Sequence, residues 1–159
     1  AGGTNLVVVE NGSVVFCRDI PIGGSIFNME ISRELGVSPQ EAEELKIGYG
    51  QTQSNPAELA NIVTMTNEMI CEEIKDSFKF YDQSKSGSAV SSIFVSGGSV
   101  KIPNLIEAIS NATGLSCQVM NPLQKVGYNK KGFSEEFLGE ITPFLPCVLG
   151  LGARKVGDS

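Results

Sequence analysis

The stretch "SIFVSGGSVKIPNLIEAISNATGLSCQVMNP", residues 92–122, constrains the fold more than any other part of the chain. It reads as a short continuous apolar strand buried on both faces, a Gly-Gly turn, a helix and a second strand. Pro103 suits the first turn of that helix and Gly114 its end. Two strands separated by one helix of this length lie parallel, joined by a right-handed crossover. The chain is therefore an α/β protein.

The front half must fit around that unit. Residues 6–10 and 13–20 are Val-rich runs joined at Asn11-Gly12, the strongest short-range hairpin signal, because a type I′ turn needs positive φ at both central residues. After Gly23-Gly24 a helix is expected over about 26–35, with Gly36 just past its end. "SPQEAEELK" carries a complete helix start: Ser38 as cap, Pro39 at the first position and Glu41 closing a capping box. "NPAE" repeats the device with Asn55, Pro56 and Glu58, and opens a long helix to about Gln83. Its apolar stripe, Leu59, Ile62, Val63, Met69, Ile70, Ile74, Phe78 and Tyr81, recurs at helical spacing and is read as core. "SKSGSAVS" is a polar loop, "GYNKKGFSEE" another, and a last helix covers about 143–155 despite Pro146. A hairpin does not join a parallel sheet without a strand between them, so this order leaves a gap at the front.

Composition narrows the function. A net charge of −6 and scattered basic residues, with Lys130-Lys131 the only adjacent pair, exclude a phosphate-tracking nucleic-acid face. Histidine is absent, which removes Ser-His-Asp and Cys-His nucleophiles and histidine metal sites. Cys17, Cys71, Cys117 and Cys147 are far apart and flanked by apolar residues, so they are expected to be buried free thiols in a reducing, cytoplasmic setting. The apolar "FLPCVLGLGA" is too short to span a bilayer, and no basic signal-peptide start is present.

Three spots could carry chemistry. Gly2-Gly3-Thr4-Asn5 precedes a strand and is either a tight turn or a loop whose amides and hydroxyl hold phosphate oxygens. Ser96-Gly97-Gly98-Ser99 follows a strand, where ligands of open α/β sheets gather, and its glycines let a flat ring or ribose approach the backbone. It is neither GxGxxG nor a P-loop. Glu43 and Lys46 share one helix face at i,i+3, either as a surface ion pair or as partners of one ligand.

In that order, the turn, the "AExxK" helix start and the strand–Gly-Gly–helix resemble the second domain of the actin-like ATPase superfamily, which has a ribonuclease H-like core. "DIPIGG", "EAEELKIGYG" and "FVSGGSVKIPNL" are similar to the cell-division protein FtsA. "FKFYD", "VMNPLQKV" and "ITPFLPCVLGLGARKV" resemble the PilM family of type IV pilus assembly proteins more closely. The resemblance covers essentially the whole chain and rests on the order of motifs and on the tail.

It implies a mixed sheet with flanking helices, a core at 1–35 and 88–159 and a small helical subdomain at about 36–87. It makes Gly2, Gly3, Thr4 and Asn5 the second phosphate loop. Glu43 and Lys46 then flank the nucleoside, and Gly97, Gly98, Ser99 and Ile102 form the adenosine loop. ATP with magnesium would be the ligand, shared with a first domain. In the superfamily an aspartate precedes the alanine matching Ala1; with it, the central first strand and the first domain are missing, so the chain resembles a C-terminal piece of a longer protein. The implied function is a cytoplasmic scaffold held at the inner membrane through the tail of a PilN-like bitopic partner, which docks mainly on the first domain. Neither membrane insertion nor nucleic acid belongs to that picture. The alternatives are an FtsA-like filament former or an actin-fold enzyme, such as a sugar kinase or a dehydratase-activating ATPase. The dispersed cysteines argue against the last.

Overall fold

The computed structural model describes residues 2–49, 57–84, 89–129 and 132–154. Ala1, the expected cap at Asn55-Pro56, the Lys130-Lys131 pair and Lys155 lie outside the described residues.

Strands β1 (Thr4–Glu10) and β2 (Ser13–Ile20) form the antiparallel hairpin. Asn11 and Gly12 take φ of 52° and 81°, as the turn requires. Val8 faces Phe16 but Val9 faces Val14, so Val15 is the extra residue of a β-bulge. Leu6 and Ile20 point into the core, whereas Val7, Val9 and Val14 are exposed on the outer face. Helix α1 (Gly24–Leu35) starts two residues earlier than expected and ends at Gly36, which is left-handed at φ 65°. Helix α2 (Pro39–Gly48) opens with the full capping box: Ser38 Oγ accepts the Glu41 amide while Glu41 Oε2 accepts the Ser38 amide. Helix α3 (Ala57–Ser84) has 28 residues and spans roughly 40 Å.

The second half supplies β3 (Ser92–Val95), α4 (Leu105–Thr113) and β4 (Ser116–Val119), and β3 and β4 pair in parallel as the sequence demands. Between β3 and α4 the chain departs from expectation. Gly98–Lys101 form a 3-10 turn, and Asn104, left-handed at φ 63°, starts the helix, so Pro103 lies ahead of α4 instead of in its first turn. Nor is β3 buried on both faces, because Phe94 is 54% exposed. Among the described residues the sheet is in two pieces, β1–β2 and β3–β4, with no ladder between them.

One hydrophobic cluster joins the elements. Phe27 and Ile31 of α1, Ala42 of α2, Leu59 and Val63 of α3, and Leu105 and Ile109 of α4 are its buried members. Each fully buried large side chain contributes about 1.5–3 kcal/mol. The α3 stripe holds at Leu59, Ile62, Val63, Ile70, Ile74 and Tyr81, and Phe78 packs half-buried against the cluster. Met69 turns outward, at 43% exposure. In its place Thr66, Asn67 and Ser77 are buried. Thr66 and Ser77 donate to carbonyls one turn back, and Asn67 donates to the Pro103 carbonyl at 3.2 Å, tying α3 to the turn before α4. All four cysteines are free, but only Cys71 is buried; Cys117 is intermediate and Cys17 and Cys147 are exposed. Burial pushes the Cys71 and Cys117 thiols up. Cys17 points to the uncovered outer face of the hairpin opposite Val7, while its neighbour Phe16 turns inward against Tyr81, and Cys147 sits in the exposed tail beside Val148, which is why the expectation fails at both.

The tail is helical over more of its length than expected. Helix α5 (Glu135–Ile141), capped by Ser134, leads through a 3-10 turn at Thr142–Phe144 into α6 (Leu145–Ala153). Together Glu135–Ala153 make 19 residues, long and apolar enough by length and composition to cross a bilayer, although the "FLPCVLGLGA" core alone is not. Glu135, Glu136 and Glu140 crowd its start, and the 3-10 turn interrupts it.

Candidate functional site

The first cluster forms where α1 meets α2. Glu43 and Lys46 lie one turn apart on α2, and Lys46 Nζ donates to Glu43 Oε2 at 2.7 Å. The same ammonium reaches the Gly24 carbonyl at 3.4 Å, and Asn28 Nδ2 of α1 donates to the same Glu43 oxygen. This is more than a solvated pair: the Lys46 side chain is 14% exposed, with the Glu43 carboxylate at the rim at 44%. The Lys46 hydrogen bond, followed by that from Asn28, holds the Glu43 carboxyl below the usual glutamate range. Asn28 Oδ1 is buried with no hydrogen-bond partner. A carboxylate and an unpaired amide oxygen side by side suit a ligand that brings hydroxyl donors.

The start of β1 joins this cluster through the β2–α1 turn. Thr4 Oγ1 donates to the Ile22 carbonyl at 2.7 Å, two residues before the Gly24 carbonyl that receives Lys46. Gly3 is held by close approach: a Cβ there would lie 3.1 Å from the Ile20 carbonyl oxygen. Gly2 and Asn5 are exposed, and a Cβ on Gly2 would meet nothing within 4 Å. Gly3 and Thr4 thus meet Ile20 and Ile22 just before that turn, while Glu43 and Lys46 are engaged by residues that the sequence reading left out, Asn28 and Gly24. "PIGGSIFN" carried a signal for them, a second Gly-Gly pair opening a helix.

The second cluster surrounds Gly97 and Gly98. Gly97 has φ 95°, accessible to glycine at little cost, and open space where a Cβ would stand. Its amide donates to the Pro143 carbonyl at 2.7 Å, and a Cβ on Gly98 would stand 3.5 Å from the Phe144 ring. Lys101 Nζ lies 5.8 Å from the centre of that ring. Ser99 accepts the Ile102 amide at 3.0 Å through its carbonyl, and the Ile102 side chain packs in the core. A separate open groove of about 310 Å³, lined by Asn121, Tyr128, Glu135, Leu138 and Thr142, lies on the tail; none of the sequence-predicted residues lines it. Among the described residues no group of three His, Cys, Asp or Glu side chains is placed to cage a metal ion.

A hairpin, a parallel pair joined by a crossover helix, and a glycine turn after β3 define a mixed α/β domain of the actin-like fold. The solved PilM-PilN type IV pilus biogenesis complex superposes with a TM-score of 0.79 at 23% identity, covering 94% of this chain and 42% of that one. Ethanolamine utilization protein EutJ from Carboxydothermus hydrogenoformans matches with a TM-score of 0.58 at 25% identity, over 74% of this chain and 40% of that one. The chain belongs to the family of the type IV pilus assembly protein PilM, whose profile matches residues 1–156. Cell division protein FtsA of Streptococcus pneumoniae serotype 2 (strain D39 / NCTC 7466) is a more distant relative, 24% identical over 89% of this chain and 36% of its own length. The chain therefore spans well under half the length of these relatives.

Proposed function

We propose that this chain is the second-domain part of an ATP-binding scaffold of the type IV pilus assembly platform, in which ATP acts as a conformational ligand. The observation that carries this reading is the cluster at the α1–α2 junction. There the largely covered Lys46 side chain pairs with the Glu43 carboxylate, and Asn28, whose oxygen has no partner, donates to that carboxylate. Ribose hydroxyls would donate to Glu43 and Asn28. The amides of Gly2, Gly3, Thr4 and Asn5 would face the phosphates, and the Gly97-Gly98-Ser99 turn the base, with Ile102 anchoring that turn to the core. Magnesium would travel with the phosphates; these residues offer it no cage of their own. ATP biases closure between domains only as far as it binds closed and open states differently.

Family membership supports a place in the pilus machinery, and the PilM-PilN complex among the solved relatives supports a PilN-like membrane partner. The scaffold is read as cytoplasmic and held at the inner membrane through that partner, with the contact mainly outside this chain.

Titrating magnesium–ATP into the longest natural polypeptide containing this chain tests the reading. Micromolar binding is expected, weakened roughly tenfold or more by Lys46→Ala, since a charge-assisted hydrogen bond contributes about 1.5–3 kcal/mol. The 159-residue chain alone is expected to show no micromolar binding. Micromolar affinity corresponds to about −8 kcal/mol, and losing two or three such contacts leaves millimolar binding or weaker. Unchanged affinity in Lys46→Ala would move the site elsewhere. Fast, substrate-dependent ATP turnover would replace the scaffold with an enzyme.

A further inference from the structure

The glycine turn after β3 is engaged by the chain's own tail. The backbone donor of Gly97 is spent on the Pro143 carbonyl at 2.7 Å, and the Phe144 ring stands on the face of Gly98 that the absence of a side chain leaves open. Lys101, from the same 3-10 turn as Gly98, lies 5.8 Å from the ring centre, within reach of a cation–π attraction. Pro143 is also the one buried residue of the described tail beyond Asn121, so this is the tail's principal anchor. Phe144 itself remains 47% exposed.

We propose that Thr142–Phe144 is a latch closed over the Gly97-Gly98 turn, and that a planar ligand ring reaching Gly98 displaces it. The inference rests on the nucleotide reading of this turn and adds regulation to it. Two groups cannot occupy the same face of one glycine, so ligand and closed latch exclude one another there. Because the turn runs directly into α6, ligand binding would free or reorient the C-terminal helix. By reciprocity, whatever holds α6 in the latched position weakens the ligand.

The experiment uses the longest natural polypeptide containing this chain, with magnesium–ATP as probe and amide exchange as a second readout. Phe144→Ala opens the latch and should tighten ATP binding roughly two- to tenfold, the range of one modest contact. Phe144→Leu should fall between the two proteins. Gly98→Ala acts oppositely: its Cβ meets the ring at 3.5 Å, an ordinary contact, so the latch stays closed while the approach to Gly98 is blocked. Binding should weaken. Without nucleotide, the Gly97 amide should exchange faster in Phe144→Ala than in the parent. ATP should speed exchange in residues 142–147 of the parent. Unchanged or weaker ATP binding in a folded Phe144→Ala protein, or ATP that slows exchange at 142–147, would overturn the latch. If neither protein binds ATP, the nucleotide reading fails. Equal Gly97 exchange rates in the two proteins would then refute the closed contact as well, whereas faster exchange in the variant would keep the closed contact and refute only its displacement by ATP.

Discussion

The α1–α4 body and the tail beyond Asn121 are both helical and both rich in apolar residues, yet they are held in opposite ways. In the body, Phe27, Ile31 and Ala42 are fully enclosed, because three helices and the inner face of the hairpin converge on them. In the tail, Val148 and Leu151 are more than 60% exposed, and Pro143 alone is buried among the described residues. The difference teaches that apolar content does not locate a core. Enclosure does, and it needs partners on several sides. The buried residue of the described tail, Pro143, accepts the Gly97 amide.

The largest expected effect tests the body. Phe27→Ala should cost about 3–5 kcal/mol, read from the denaturant midpoint, because the ring leaves a cavity that four elements cannot all collapse into. A loss below about 1 kcal/mol would mean that the body is no better packed than the tail. Next, Ser38→Ala should cost about 1 kcal/mol through loss of the capping box that starts α2 and positions Glu43 and Lys46. Restoration by Ser38→Asp would assign that cost to the cap.

A smaller effect concerns pH. Glu43 titrates below its unfolded value in the native state, so its contribution is complete above about pH 4.3. It fades as pH falls through the lower native value. Glu43→Gln should therefore flatten the acid limb of the stability curve by well under 1 kcal/mol, since the carboxylate is largely solvent-screened. A steeper acid limb in Glu43→Gln would contradict the assignment. Smallest of all, Val148→Ala should change stability by no more than about 0.5 kcal/mol. A cost matching that of Phe27→Ala would erase the contrast between the two regions.

Much of the fold was legible because it is written in local signals. Asn11-Gly12 demands positive φ, Ser38-Pro39-x-Glu41 closes its own box, and Gly36 and Gly114 end helices in the left-handed region. The alternation of β1 and the stripe of α3 report which face turns inward, except at Met69, where spacing alone cannot separate the rim of a stripe from its centre. The left-handed Asn104 and the break at Thr142–Phe144 were not legible, since each answers to a neighbour far along the chain: α3 through Asn67, and the Gly97 amide. Of the candidate site, Glu43 and Lys46 were readable as a pair. Their hydrogen bonds to Gly24 and Asn28 were not, because those partners lie on another helix.

The sequence by itself determined the parallel β3–β4 unit, the hairpin, the capped helices and the exclusion of histidine chemistry. These depend on backbone conformations and residue types that a few neighbouring positions specify. Only the tertiary structure decided that Gly24, Asn28, Glu43 and Lys46 form one cluster, and that Pro143 and Phe144 pack on Gly97 and Gly98. Such contacts join residues as many as 46 positions apart in the chain, as with Gly97 and Pro143. No local pattern encodes a meeting that depends on how the elements between them pack.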